Sequence, residues 1–286
     1  MLRPAVPGDE AAIEAFLSDH AETSMFLRGN LRDYGLDDRS HPHGTAYWLA
    51  EEAGAVAAVF GLSNAGFAMS QAPGADQALW QAFAGTVAGR MLAGITGEAA
   101  QVAQAKQAFG LHSAAFAIDR PEPLYRLDLA ALILPDLPGE IRPPAETDRA
   151  LLETWFADYE RETLGTAPER AAVLARERAG RAILAGETRL LIVNDTPVAT
   201  VALNARLPDM VQVGGVFTPP DLRGQGHARR AVALHLAEVR GEGVQTAILF
   251  ASGPAACRAY EAIGFARVGT YALAILKTPV TVGARP

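Results

Sequence analysis

The segment at residues 213–228 constrains the fold more than any other part of this 286-residue chain. It reads as an apolar extended run that ends in two prolines, followed by a glycine-rich loop, Arg223–Ala228, that opens directly into a helix. A helix that begins in such a loop presents backbone N–H groups without intrahelical partners, and its dipole favours negative charge. Glycine lets the backbone approach an anion without a Cβ in the way. The segment therefore predicts a strand–loop–helix unit that binds a phosphorylated ligand.

Length and composition narrow the class of protein. A chain of 286 residues predicts two domains, and 50% hydrophobic with 20% charged residues excludes a disordered polypeptide. The net charge of −7, with no basic stripe, argues against a nucleic-acid partner. The single cysteine excludes a disulfide scaffold and a cysteine-based zinc site. We see no signal peptide and no run of about 18 apolar residues, so we expect a soluble, cytoplasmic protein with no membrane partner and no metal.

The two halves of the chain resemble each other. Leu2–Ile13 is similar to Ile141–Leu152, and each reads as a short strand, a turn and a helix, with Asp9 or Thr147 as the N-cap. The segments 124–133 and 268–276 are similar in the same way. We therefore predict a duplicated domain, with a first domain over 1–134, a Pro/Gly-containing linker over 135–140 and a second domain over 141–286.

Both halves are predicted to be α/β, with helices flanking a central mixed, mainly antiparallel sheet. In the second half we expect helices over 148–162, 168–184, 226–240 and 254–263, strands over 188–193, 198–204, 210–218 and 246–251, and a closing hairpin over 265–276. In the first half we expect helices over 9–19, 22–34, 75–88 and 98–109, and strands over 46–52, 55–62, 66–71, 90–96, 114–119 and 124–133.

Three nucleotide-binding patterns compete for the glycine loop. A Walker loop requires Gly-Lys-Ser/Thr, which Gly226-His227-Ala228 lacks, and a Rossmann fingerprint requires glycine or alanine where Arg229 stands. The pattern Arg/Gln-x-x-Gly-x-Gly/Ala is met by Arg223, Gly226 and Ala228. In this loop the chain resembles the GNAT superfamily of acyl-CoA-dependent N-acyltransferases. An ordinary Arg-Gly turn at a helix start is the structural alternative.

A second segment strengthens the resemblance. Residues 248–265 are similar to the second GNAT signature, Asn-x-x-Ala-x-x-x-Tyr-x-x-x-Gly-Phe, which Ala256, Tyr260, Gly264 and Phe265 match at the right spacing. Both signatures occur in the right order, so the resemblance extends over roughly residues 140–276.

The resemblance implies a role for each matched residue. The backbone of Val216, Phe217 and Thr218 is expected to bind the pantetheine arm of acetyl-CoA, the acyl donor. Tyr260 is expected to protonate the departing thiolate, although a core tyrosine is the structural alternative. The helical segment 159–162 is expected beside the acceptor cleft, as in the family, and its Glu160 is our candidate general base, acting directly or through water, although this charged cluster also fits a solvated helix face. The pyrophosphate is expected on the loop residues Arg223, Gly224, Gln225, Gly226, His227 and Ala228.

The chain departs from the family pattern at one position. Gly253 stands where the signature has asparagine, which removes a side-chain contact to the pantetheine arm, and Ser252 is our candidate substitute.

The first half has lost the features that would bind the cofactor. The segment aligned with the glycine loop, 71–76, has one glycine, no arginine and the acidic Asp76, while Lys106 falls near the position of Tyr260. We interpret this half as a degenerate GNAT domain without a cofactor site that contributes to the acceptor cleft.

The resulting functional expectation is an N-acyltransferase. It would transfer an acetyl or other acyl group from acyl-CoA to a primary amine of a small molecule or peptide, by direct attack in a ternary complex. The alternative is a CoA-binding regulatory module without catalytic activity. The sequence does not distinguish a monomer from a homodimer.

Overall fold

The computed structural model describes residues 1–283, and the chain divides into two compact units. Unit 1 consists of residues 1–122 and the closing segment from residue 269, and unit 2 consists of residues 123–268. Both are α/β, as the sequence predicts. No helix among the described residues is long and apolar enough to cross a lipid bilayer.

Unit 1 is a six-stranded sheet with helices on both faces. Its strand order is β1-β2-β3-β4-β5-β12, in which only β4 and β5 are parallel. Side chains alternate between the faces: Tyr47 and Leu49 pack toward α1 and α2, whereas Trp48 and Ala50 pack toward α3 and α4. The elements are β1 (Leu2–Pro4), α1 (Glu10–Ser18), α2 (Ala21–Tyr34), β2 (Thr45–Glu52), β3 (Ala55–Ser63), β4 (Phe67–Gln71), α3 (Gln77–Thr86), β5 (Met91–Glu98), α4 (Ala99–Ala108) and, at the end of the chain, β12 (Ala266–Thr281).

Unit 2 repeats this arrangement. Its strand order is β6-β11-β10-β9-β8-β7, and only β10 and β11 are parallel. Leu152 and Phe156 pack α5 onto one face with α6, while Val232 and Leu236 pack α7 onto the other. The elements are β6 (Phe116–Asp128), β7 (Glu140–Arg142), α5 (Arg149–Leu164), α6 (Pro168–Ala185), β8 (Thr188–Val193), β9 (Thr196–Arg206), β10 (Met210–Phe217), α7 (His227–Gly241), β11 (Thr246–Phe250) and α8 (Pro254–Glu261).

The boundaries of the two units differ from the predicted domain boundaries because of the closing strands. Residues 271–281 of β12 pair antiparallel with β5 inside unit 1, and residues 124–128 of β6 pair antiparallel with β11 inside unit 2. Each unit is thus completed by the closing strand of the other sequence half. The sequence did not reveal this exchange because the two closing segments resemble each other.

Both closing segments are also more continuous than predicted. The predicted hairpin over 265–276 is the single strand β12, and the predicted pair of strands over 114–119 and 124–133 is the single strand β6. β6 continues through the prolines at 121 and 123, and the Pro123 carbonyl accepts a hydrogen bond from the Ala251 N–H at 3.0 Å. These two predictions were wrong.

An arginine–aspartate pair recurs at the start of each half. Arg3 donates to both carboxylate oxygens of Asp9, at 2.7 and 3.0 Å, and Arg142 donates to both oxygens of Asp148, at 2.6 and 2.9 Å. Each aspartate also accepts a hydrogen bond from the backbone N–H three residues earlier. The predicted cap Thr147 lies in a 3₁₀ turn, and α5 begins after Asp148 instead. The repeated geometry supports the duplication inferred from the sequence.

We expect Asp148→Asn to lower the free energy of unfolding by about 1–3 kcal/mol, because it removes the charge from a buried carboxylate that accepts two hydrogen bonds from the partly exposed Arg142 and one from the Ala145 N–H. Urea unfolding monitored by circular dichroism measures the change. Glu146→Gln is the matched control, since its ion pair with Arg149 is exposed and should contribute little. Equal effects of the two variants would contradict the assignment.

His235 is a buried histidine on α7. It is 1% exposed, and its Nδ1 has no hydrogen-bond partner among the described residues. Burial, together with the positive charges of Arg189 and Arg206, lowers its pKa from 6.5 to about 4. The folded state therefore keeps this imidazole neutral where the unfolded chain would protonate it.

This histidine makes stability depend on pH in a defined direction. Between pH 6.5 and 4 the unfolded chain binds a proton that the folded chain does not, so stability falls as the pH drops through this range. The loss attributable to His235 reaches about 2–3 kcal/mol near pH 4.5. His235→Leu should flatten the pH dependence of the unfolding free energy by that amount. Parallel profiles for the variant and the wild type would show that His235 is not the group responsible.

Candidate functional site

The site in unit 2 begins where two parallel strands separate. β10 and β11 pair from Met210 with Thr246 to Val213 with Leu249, and no pair between them follows. The register of β10 against β9 also shifts between Gly214 and Phe217, which marks a bulge. The backbone after Val213 is thus no longer paired with β11.

A cleft of 640 Å³ opens at this separation. Its volume lies in the range of small-molecule sites. Its lining includes Tyr260 and all of the predicted cofactor-binding residues: Val216, Phe217, Thr218, Arg223, Gly224, Gln225, Gly226, His227, Ala228 and Ser252. Residues from three separate sequence segments therefore meet around a single cavity.

The glycine loop leaves the start of α7 open. Gly226 is the N-cap of α7, with a left-handed φ of +82°, and no side chain caps the helix there. The first N–H groups of a helix without a side-chain cap are free to bind an anion. A Cβ on Gly226 would lie 2.7 Å from Leu137 Cδ1, so this position is sterically restricted as well. The loop therefore has the geometry of a phosphate cradle.

Three arginine side chains line the cleft. They are Arg223, Arg229 and Arg258, in a chain of net charge −7. Arg223 Nε donates to the Thr218 carbonyl at 2.9 Å, and its Nη2 lies 2.6 Å from Glu162 Oε2. This local charge suits a ligand with several phosphates.

Two buried polar atoms in the lining lack partners among the described residues. They are Thr218 Oγ1 and Arg229 Nε, both without a hydrogen bond. Since buried polar atoms are nearly always satisfied, a polar ligand in the cleft would complete them. The residues present therefore fit a phosphorylated, hydrogen-bonding ligand such as CoA.

Tyr260 is one of the residues that line the cleft. It is 8% exposed and packs edge-on against Phe265, with ring centroids 6.0 Å apart. Cys257, one turn earlier on α8, is half-buried and packs against the core. The structure thus brings Tyr260 to the cavity that the glycine loop forms.

Glu160 lies elsewhere. It is buried and is not part of the cleft lining; its Oε2 accepts a hydrogen bond from Thr166 Oγ1 at 3.2 Å, and its Oε1 lies 3.9 Å from Arg178 Nη1. Direct proton abstraction by Glu160 from a group in the cleft is therefore not what this geometry favours.

Several residues that line the cleft were not predicted from the sequence. They lie on helices whose orientation the motifs do not define: Thr163 on α5, Arg229 on α7, and Ala255, Arg258 and Ala259 on α8. The spacing of Ala256 and Ala259 before Tyr260 was the available signal, since small residues on one helix face leave room for a ligand.

The corresponding loop of unit 1 is built differently. Asp76 is the N-cap of α3, and its carboxylate accepts a hydrogen bond from the Leu79 N–H at 2.8 Å. Lys106 lies 2.6 Å from Asp119 Oδ2. The cavity beside this helix is lined by Glu51, Glu52 and Asp76. A carboxylate of the chain itself thus occupies the helix start.

Comparison with known proteins agrees with this geometry. Residues 148–265 match the acetyltransferase (GNAT) family model. The sequence has no significant match among proteins of curated function.

Solved structures extend the likeness to the whole chain. An acetyltransferase of the GNAT family from Colwellia psychrerythraea is 14% identical, with a TM-score of 0.51 over 97% of this chain and 100% of that chain. A GCN5-related N-acetyltransferase from Kribbella flavida is 20% identical, with a TM-score of 0.53 over 96% of this chain and 97% of that chain. A tandem GNAT protein from the clavulanic acid biosynthesis pathway is 15% identical, with a TM-score of 0.53 over 100% of this chain and 99% of that chain.

The fold is therefore that of the GNAT acetyltransferases, in a tandem form. Residues 148–265 form a GNAT acetyltransferase domain by the family model, which confirms the resemblance carried by the two signatures.

Proposed function

We propose that this protein transfers an acetyl or other acyl group from acyl-CoA to a primary amine, with unit 2 as the competent domain. The observation that carries the proposal is the meeting of Tyr260, the released end of β10 and the open start of α7 around one cleft. In the proposed complex the pyrophosphate lies on the 223–228 loop. The pantetheine arm follows the backbone of Val216–Thr218 and brings the thioester to Tyr260.

The reaction proceeds by direct attack. The acceptor ammonium loses one proton, and the resulting neutral amine attacks the thioester carbonyl to form a tetrahedral intermediate. The attacking nitrogen loses a second proton, and collapse of the intermediate breaks the C–S bond. The amide product and CoA thiolate leave, the Tyr260 hydroxyl protonates the thiolate, and the phenolate recovers a proton from solvent. A phenol of pKa about 10 can supply a proton to a thiolate whose conjugate thiol has a pKa of about 8.5 when the two are well placed.

Glu160 remains our proposed general base, now with an intervening water. Its buried carboxylate lies outside the cleft lining, so a proton from the amine has to travel through a bridging water to reach it. Tyr159, its neighbour on α5, does line the cleft. A water beside this ring would connect the two regions.

Unit 1 has a supporting role in this proposal. The Asp76 carboxylate already caps α3, and Glu51 and Glu52 line the adjoining cavity. Phosphates would be repelled there, and the helix N–H groups are partly occupied. These features support a degenerate unit without a cofactor site.

A CoA-binding module without catalysis is the second candidate. Gly253, in place of the signature's asparagine, and the remote position of Glu160 favour it. The retained Tyr260 in the cleft wall favours the enzyme.

Calorimetric titration with acetyl-CoA, followed by thiol release across a panel of amines, separates the two candidates. Binding with amine-dependent thiol release supports the enzyme, and binding without release supports the module. If millimolar acetyl-CoA does not bind, both are wrong.

A further inference from the structure

A largely buried arginine from α6 lies against the bulge of β10. Nη2 of Arg178 is 2.5 Å from the position that a Cβ on Gly215 would take, so the guanidinium rests on the backbone of this glycine. Gly215 has a φ of +58° and lies within the bulge. It immediately precedes Val216 on a strand that runs toward the glycine loop. Arg178 therefore contacts β10 just before Val216, on the side that the proposed complex gives to the acyl group, and it packs on Tyr159 of the cleft lining without being a lining residue itself.

The groups around Arg178 compensate its positive charge only in part. The guanidinium carbon lies 4.5 Å from the ring centroid of Phe156 and 4.7 Å from that of Tyr159. The ion pair with Glu160 is 3.9 Å long, beyond the length of a charge-assisted hydrogen bond. Burial also lowers the pKa of Arg178. A desolvated cation with a distant counterion is costly unless another anion approaches it.

The shape of the site indicates the direction from which an anion would come. A guanidinium has more in-plane N–H donors than the hydrogen bond with Tyr159 and the ion pair with Glu160 use, so a ligand could bind the others. The side chain is 23% exposed, which gives solvent a route to it. Asn204 lies over the adjacent Gly214, where a Cβ would overlap its amide, and it adds a second polar group to the same bulge.

We propose that Arg178 binds a carboxylate of the substrate at the acyl end of the cleft. This inference rests on the proposed function and deepens it, because it names the chemical class of the substrate. A planar guanidinium pairs bidentately with a carboxylate, which fixes orientation as well as charge. The carboxylate comes either from the acyl group, as in a dicarboxylic acyl-CoA, or from an amine acceptor of the amino-acid type.

Two experimental arms distinguish these sources. In the donor arm, calorimetry compares succinyl-CoA with butyryl-CoA, which carries a methyl group in place of the carboxylate. In the acceptor arm, thiol release from acetyl-CoA compares free L-amino acids with their amides. Both arms use the full chain as wild type, Arg178→Gln and Arg176→Gln. Arg176 is an exposed arginine on the same helix, so it is the matched control.

We expect the wild type to favour the carboxylate form by about tenfold or more in one arm, the value for a hydrogen bond between charged groups. Arg178→Gln should reduce this preference to near unity, and Arg176→Gln should retain it. The arm that shows the preference identifies the source of the carboxylate. If Arg178→Gln does not fold, Arg178→Lys retains the charge beside Glu160 but loses the fork, and should reduce the preference several-fold.

The inference is overturned if the wild type prefers the carboxylate form in neither arm, or if the preference survives in the folded Arg178 variant. Titration with CoA alone separates this failure from that of the proposed function. CoA binding without any carboxylate preference refutes only the role of Arg178. Absence of CoA binding refutes the proposed function, and the role of Arg178 with it.

Discussion

Replacing Tyr260 with phenylalanine should lower kcat by roughly 10²–10⁴ while leaving the affinity for CoA nearly unchanged. The ring lies in the cleft wall and packs edge-on against Phe265, and phenylalanine preserves that packing. What the variant loses is the hydroxyl, the proposed proton donor to the thiolate. A group that acts only when the C–S bond breaks affects turnover rather than ground-state binding. Steady-state thiol release and calorimetry with CoA measure the two quantities separately.

The neighbouring Phe265 provides the matched control. Phe265→Leu disturbs the packing around Tyr260 but keeps its hydroxyl, so it should change stability more than turnover. Turnover that is unchanged in Tyr260→Phe would remove this residue from the acid role. A parallel loss of CoA affinity would indicate that the hydroxyl serves binding instead.

The local elements of this fold were accessible from the sequence because their signals are local. β8 matches its predicted range, and α5 and α6 begin and end within two residues of the prediction. The glycine loop and the Tyr260 segment allowed the cofactor cleft to be predicted. Their motifs depend on backbone conformation and on residue spacing along a helix, and both can be read from the sequence. All of the predicted cofactor-binding residues line that cleft.

The sequence did not reveal which closing strand pairs with which sheet, because the two possible pairing partners are equivalent. β5 and β11 each accept a closing strand, and the segments 124–133 and 268–276 have similar apolar patterns. Register and pattern fit either pairing, so only tertiary structure decides which strand completes which unit.

The position of Glu160 illustrates a second kind of limit. The Tyr159–Glu162 segment of α5 was expected beside the acceptor cleft, and the structure places Tyr159 and Glu162 there but not Glu160. Residues one or two apart on a helix face different directions, and a charged segment does not show which of them faces the ligand. The Arg178 contact that holds Glu160 comes from another helix and has no signature in the sequence.

We expect Gly226→Ala to weaken CoA binding by about 10–100-fold, because a left-handed conformation costs a non-glycine residue about 1–2 kcal/mol and the added Cβ also needs space. The Cβ would lie 2.7 Å from Leu137 Cδ1 and 3.1 Å from Arg229 Nε. The two side chains can move aside, but relief of the backbone strain requires the loop to rotate. Rotation at the N-cap reorients the first N–H groups of α7, which are the proposed donors to the pyrophosphate. Calorimetric titration with CoA gives the change in Kd.

Substitutions of two other glycines of the cleft region distinguish the cost of the left-handed conformation from the steric cost of the added Cβ. Gly224 has a φ of +80° but open space around its Cβ position, so Gly224→Ala should show the conformational cost alone and a smaller loss of affinity. Gly253, at the start of α8, has an extended backbone and open space, so Gly253→Ala should leave CoA binding close to that of the wild type. The order Gly226, Gly224, Gly253 in decreasing loss of affinity is the expected result. Equal losses at all three positions would show that the cradle does not depend on the N-cap geometry of α7, and full affinity in Gly226→Ala would place the pyrophosphate elsewhere.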